Sequence, residues 1–200
     1  RMHCTNRIPH SRGLGSSASA IVAGVTLARA LIGDAEVLGR AEILEIGSQM
    51  EGHPDNVAPA VFGGATVSWM NEETSEVGSV RLTPPEGINP VAFIPDFELR
   101  TAAARAALPT TVPHVDASFN VARGALLAAV LSGNAQASGG ADLHSLLMEA
   151  TRDRLHQEQR RAAMEPSLAL VDWLRGAGFA AVVSGAGPTV LSLESVGADI

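Results

Sequence analysis

The 200-residue chain has no lysine: its 14 basic residues are all arginine, and 21 acidic residues outweigh them to give a formal net charge of −7. Nucleic-acid affinity comes largely from clustered positive side chains, so this balance argues against a phosphate-backbone binder. Arginine in place of lysine, beside abundant alanine and glycine, reads as high-GC codon usage rather than as function. Cysteine is nearly absent as well. Cys4 alone permits neither an intramolecular disulfide nor a cysteine-built metal site, and it fits a reducing compartment. No run reaches the ~18 apolar residues of a membrane span, and the opening R-M-H-C-T-N-R lacks a signal-peptide core. These absences predict a soluble, cytoplasmic protein with no nucleic-acid and no membrane partner. What remains is a chain of 46% hydrophobic and 18% charged residues with mean hydropathy +0.18, enough for the core of one domain or two small ones.

One stretch stands out, Pro9 to Ala20, reading P-H-S-R-G-L-G-S-S-A-S-A. Gly13 and Gly15 permit backbone angles closed to other residues, Ser16 and Ser17 add hydroxyls, and a helical run from about Ser16 to Leu31 follows at once. The first turn of such a helix leaves its N–H groups unpaired and presents the positive end of its dipole, a natural phosphate site. An ordinary glycine turn with a serine cap would read the same way. The stretch does not fit the P-loop form, since no lysine follows the glycines, nor does it give G-x-G-x-x-G.

The apolar run Ala18 to Ile32 suits a helix buried on most sides and ended by Gly33; Asp34 then caps a second helix, about Ala35 to Met50. Glu51 to Gly64, E-G-H-P-D-N-V-A-P-A-V-F-G-G, packs His53, Asp55 and Asn56 around a proline, on a stiff turn that suits either a site or an Asx-type cap. Strands are expected at the start through Ile8, at 65–70, 80–83 and 91–94, with an acidic turn over 71–78. A proline-rich boundary near 84–90 divides the chain into 1–84 and 85–200. Helices follow over 101–108, 115–132, 143–151 and 166–175, and the charged run between the last two reads as a solvated face. The end, Ala180 to Leu193, reads as strand, glycine turn, strand.

The loop meets every fixed position of P-x-x-x-G-L-G-S-S-A, the second motif of the GHMP kinases, and S-G-A-G-P-T (Ser184 to Thr189) resembles their third, a glycine turn that lies against the phosphate region. Within that superfamily E-G-H-P-D-N-V-A-P and F-E-L-R-T-A-A-A-R-A-A-L-P are similar to the homoserine kinases, as is the run Ser118 to Ala129. The resemblance implies an α+β fold: a ribosomal-protein-S5-like N-terminal domain, here incomplete, and a ferredoxin-like C-terminal one. It implies ATP-dependent phosphorylation of the side-chain hydroxyl of L-homoserine, a step toward threonine, and a homodimer. By motif, Pro9, Arg12, Gly13, Leu14, Gly15, Ser16, Ser17 and Ala18 would hold ATP. Mg²⁺ would sit on Ser17 and Glu45, with Glu42 and Glu51 as competing carboxylates. His53, Asp55 and Asn56 would hold the amino acid, Asn56 near the reacting hydroxyl and Asp55 either accepting its proton or standing aside. Thr101, Arg105, Arg160 and Gly187 complete the substrate set, the arginines on its carboxylate, with Arg154 and Arg161 as rivals of Arg160. Another GHMP small-molecule kinase, or a GHMP protein that binds without turnover, are the competing readings.

The first GHMP motif, P-x-S-x-N-x-G-x-G-F-D, is absent, and the chain stops soon after the third. The resemblance therefore implies a fragment of weak or no activity, with the Mg·ATP dissociation constant raised at least about tenfold, ~1.4 kcal/mol.

Overall fold

The computed structural model describes residues 3–33 and 38–197. The chain forms two compact units: Gly15–Thr83, and the remainder, in which everything up to Leu14 groups with everything from Pro84 onward. The division at the front falls inside the glycine loop, between Leu14 and Gly15.

In the Gly15–Thr83 unit, α1 (Ser16–Ile32), α2 (Arg40–Glu51) and α3 (Val57–Phe62) pack on one another, followed by strands β1 (Ala65–Met70) and β2 (Val77–Leu82). The strands pair antiparallel with Val67 opposite Val80 and Trp69 opposite Gly78. Ala18, Leu44, Val57 and Ala58 form the core, with Val22, Val61, Phe62 and Val77 against it. The expectation that α1 is buried on most sides does not hold: only Ala18 is buried, and Leu31 is 80% exposed. Small residues let α2 and α3 approach one side of α1, and its far side stays in solvent. The second strand starts at Val77 rather than Val80, because the turn before it needs only 71–76: Asn71 accepts N–H groups of Glu73 and Thr74, and its own N–H donates to Glu76 O. The cap assigned to Asp34 lies outside the described residues, and α2 itself begins only at Arg40.

The other unit holds β3 (Val91–Phe93), α4 (Thr101–Ala106), α5 (His114–Leu131), α6 (Leu143–Ala150), a 3₁₀ turn (Glu158–Ala163), α7 (Glu165–Gly176), β4 (Ala181–Val183) and β5 (Val190–Ser192). The sheet order is β3-β5-β4, both pairs antiparallel, with Val190 opposite Phe93 on one side and Val183 on the other. α7 lays Val171 and Leu174 against Ala181 and Val190, while Val130 of α5, Leu147 of α6 and Ala180 form a second cluster. Residues 3–8 form no strand, contrary to the sequence reading. A strand is stabilised through its ladder partner, and among the described residues of its unit this segment pairs with none.

Leu174 is fully buried at the centre of the first cluster. Leu174→Ala is expected to cost about 2–5 kcal/mol, read as a lower urea midpoint for the Pro84-onward unit by far-UV circular dichroism.

Candidate functional site

The glycine loop is fastened to the β4–β5 hairpin. Ser184 Oγ donates to Gly13 O at 2.8 Å, and Thr189 N–H donates to Arg12 O at 3.2 Å. The hairpin turn closes on itself through Gly187 N–H to Ser184 O, 2.9 Å. Gly13 has φ +72, and a Cβ there would stand 2.3 Å from Ser184 O and 2.8 Å from Gly187 O. No side chain fits, so the close approach of the two turns depends on glycine at this position.

Arg12 lies behind the loop. Its Nε donates to Pro95 O at 2.9 Å and its Nη2 to Asp96 O at 2.7 Å, while Nη1 reaches His10 O and lies 3.5 Å from Glu98. Its side chain, which the motif resemblance assigns to ATP, is bonded to the 95–98 segment, and Leu99 N–H just beyond it donates to Ser11 O. Pro9 precedes this turn and Leu14 follows it, both half-buried.

From Gly15 onward the loop becomes a helix. Gly15 is the cap residue of α1 at φ 69, without a capping side chain, and no acidic residue stands in the first turn. Ser16 opens the helix and Ala18 anchors it in the core. The free N–H groups at this end suit an anion. A Cβ on Gly15 would lie 3.4 Å from Asn56 Oδ1, so the Asn56 carboxamide packs directly on the loop backbone. Asp55 Oδ1 accepts Asn56 N–H at 2.9 Å and lies 2.5 Å from His53 Nδ1. Asp55 is otherwise turned to solvent, 68% exposed.

Ser17 Oγ donates to Glu51 Oε2 at 2.8 Å. Glu45, the carboxylate the resemblance assigns to the metal, is exposed and pairs with Gln49 at 3.4 Å. Among the described residues no group of three His, Cys, Asp or Glu side chains could hold a metal. The hydroxyl–carboxylate pair fits Mg²⁺ that takes its remaining oxygens from phosphate and water, and does not form an all-protein cage.

In the other unit Thr101 opens α4 and Arg105 lies in its last turn, both exposed. Arg160 is buried at 8% exposure, its Nε donating to Ala104 O at 3.2 Å and its Nη1 to Gly185 O at 3.3 Å. Burial lowers its pKa, the Asp153 carboxylate opposes that, and the charge of Arg105 adds to it. Its rivals are engaged elsewhere, Arg154 with Asp116 and Arg161 with Glu158 and Asp172. The charged run is therefore not simply a solvated face. Asp153 folds it: its carboxylate accepts Asn120 Nδ2 and the N–H groups of Leu155, His156 and Gln157. Sequence reasoning missed Asp153; it set the Ser184 turn against the phosphate region and named Glu51 among the competing carboxylates, but it did not find the Ser184–Gly13 and Ser17–Glu51 hydrogen bonds. Asp153 stood in an unremarkable charged tract, and the other two contacts join residues far apart in sequence.

The profile of the GHMP kinases N terminal domain matches residues 1–64, and that of the GHMP kinases C terminal matches residues 126–194. The chain belongs to the GHMP kinases. Among curated proteins it is 49% identical to the homoserine kinase of Streptomyces coelicolor over 191 residues, 95% of this chain and 58% of that protein. It is 44% identical to that of Corynebacterium efficiens over 200 residues, 98% of this chain and 61% of that one. The chain thus spans about three fifths of the length of these relatives. The crystal structure of the homoserine kinase from Cytophaga hutchinsonii superposes with TM-score 0.78 at 23% identity, over 94% of this chain and 58% of that one, which establishes the fold. A solved Listeria monocytogenes chain gives TM-score 0.68 at 35% identity, over 96% of this chain and 60% of its own.

Gly13→Ala is expected to lower stability by about 1–3 kcal/mol, and Ser184→Ala by about 0.5–1.5 kcal/mol, both read by differential scanning calorimetry. Asp153 makes a pH-dependent contribution. Burial would raise its pKa, but the hydrogen bonds from Gln157, Asn120, His156 and Leu155 outweigh this and hold it below 3.8. The stability it adds is complete above the unfolded value and is lost as pH falls through the folded one. Asp153→Asn is therefore expected to be less stable than wild type at neutral pH, with the gap narrowing as pH drops below 3.8.

Proposed function

We propose that this chain is a homoserine kinase, transferring the γ-phosphoryl group of ATP to the side-chain hydroxyl of L-homoserine. The observation that carries the reading is 44–49% identity to homoserine kinases over nearly the whole chain, and the contact of Asn56 with Gly15 supports it.

In this reading the N–H groups of Gly15, Ser16, Ser17 and Ala18 at the start of α1 receive the phosphates, and Gly13 keeps the loop backbone in place. Asn56 orients the substrate hydroxyl and His53 holds Asp55. Arg105 and Arg160, with Thr101 and Gly187, hold the amino acid's carboxylate end, for which guanidinium geometry is suited. Magnesium, held by Ser17 and a carboxylate of α2, supplies charge neutralisation on the phosphates when bound.

The chemistry is a displacement at phosphorus. The bond between the γ-phosphorus and the β,γ-bridging oxygen breaks, a bond from that phosphorus to the homoserine oxygen forms, and ADP leaves with the bridging oxygen. The hydroxyl proton goes to Asp55 and on to solvent. Positioning and neutralisation carry most of such a reaction, so Asp55 need not be a strong base. O-Phospho-L-homoserine, an intermediate toward threonine, is the product. A cytoplasmic homodimer belongs to the same reading, as does Gly15–Thr83 as part of the family's N-terminal domain.

ADP release with Mg·ATP and L-homoserine, against threonine, mevalonate and galactose, tests the reading. Release dependent on homoserine alone, weak in this chain and stronger in an extended gene product run beside it, is expected; release that is equal across the compounds, or absent from both proteins, overturns the reading. Arg105→Met is expected to lower kcat/KM for homoserine by about ten- to a hundredfold, mainly through KM, as loss of a charge-assisted contact requires.

A further inference from the structure

We infer that Gln157 is a positioning residue for the amino-acid subsite, holding the hairpin turn that carries Gly187 in place relative to Arg105 and Arg160; the inference rests on the kinase reading above. Among the described residues β4 is an edge strand of the β3-β5-β4 sheet. An antiparallel edge strand points alternate N–H groups away from its ladder partner. Ser184 N–H donates across the hairpin to Thr189 O at 2.8 Å, so the N–H of Val183 faces the open side. There it donates to Gln157 Oε1 at 2.8 Å. A side chain from the start of the 3₁₀ turn thus takes the place of a neighbouring strand at the base of the glycine turn.

Gln157 is itself fixed from behind. Its N–H donates to Asp153 Oδ2 at 2.7 Å, and its carbonyl accepts Arg160 N–H at 3.0 Å. Arg160 bonds Gly185 O through Nη1 and Ala104 O through Nε. One short turn therefore grips the hairpin at two points, Val183 and Gly185, and grips α4 next to Arg105. Met164, which follows the turn, packs against Gly187, where an added Cβ would stand 2.7 Å from its Sδ. Arg105, Arg160 and Gly187, proposed above to hold homoserine, sit on three separate elements, and these contacts tie the three together. A small ligand held by groups from several elements is bound well only while their spacing is kept, so the anchor of the hairpin bears on its affinity. The glycine loop has ties of its own, from Thr189 N–H to Arg12 O and from Arg12 to Pro95 and Asp96. Releasing Val183 is therefore expected to loosen the amino-acid side of the site and spare the nucleotide side.

The test is steady-state kinetics of the extended gene product, with homoserine and Mg·ATP varied in turn, for wild type, Gln157→Met and Gln157→Glu. Methionine keeps the length of the side chain and removes the oxygen that accepts Val183 N–H; glutamate keeps an oxygen there. Gln157→Met is expected to raise KM for homoserine by about three- to tenfold, as loss of one hydrogen bond allows, while KM for ATP stays within about twofold of wild type. Gln157→Glu is expected to return the homoserine KM to near the wild-type value. An unchanged homoserine KM in Gln157→Met, an equal rise in both KM values, or a Gln157→Glu variant as impaired as Gln157→Met overturns the inference and leaves the kinase reading standing. Loss of the folded state in Gln157→Met, read by circular dichroism, does the same, since the residue would then be a structural one. Absence of homoserine-dependent ADP release from the wild-type protein overturns the kinase reading, and the inference with it.

Discussion

The carbonyl of Gly13 accepts the hydroxyl of Ser184 from 171 positions further along the chain, and the placement of the glycine loop depends on that contact. It can exist only because Gly13 has no side chain, since a Cβ would meet the backbone of the hairpin. Arg12 secures the loop on its other side through the carbonyls of Pro95 and Asp96. A loop that must present N–H groups to an anion gains from being held before the anion arrives, because ordering it on binding would cost affinity. The charged side chain nearest the glycines thus serves the loop's own geometry.

Charge in the Gly15–Thr83 unit is arranged by backbone ends as much as by side chains. α1 begins without a cap, Asn56 packs on Gly15, and Ser17 and Glu51 bridge the first turn of one helix to the last turn of another. A chain without lysine cannot use the P-loop solution of an ammonium on the phosphates. In the proposed kinase reading, helix N–H groups and a metal take that part. In the other unit the same economy recurs: Asp153 pins the turn that carries Arg160, whose guanidinium is held by two backbone carbonyls.

Elements with strong local signals were legible in the sequence. The helix expected over 143–151 is found as Leu143–Ala150 and that over 166–175 as Glu165–Gly176, because apolar spacing and cap residues act within a few positions. The motifs disclosed the superfamily for a similar reason: a glycine loop's chemistry is written in consecutive residues. Features that depend on distant partners were not legible. Residues 3–8 have strand-like composition but no ladder partner among the described residues of their unit, α1 is apolar yet open on one side, and the tract around Arg160 is charged yet buries that arginine. The choice among Glu42, Glu45 and Glu51 turns on which carboxylate of α2 reaches α1. That is set by packing, and the spacing of acids along one helix does not encode it.

The account stands on the turn from Gly13 to Ser17 receiving a metal–nucleotide complex. The most direct measurement is a two-dimensional amide spectrum of the isotope-labelled chain titrated with Mg·ADP. The account predicts that the largest and saturable shifts fall on Gly13, Gly15, Ser16 and Ser17, with Asn56 following at the same midpoint. Saturable shifts elsewhere with these five amides unmoved would contradict it.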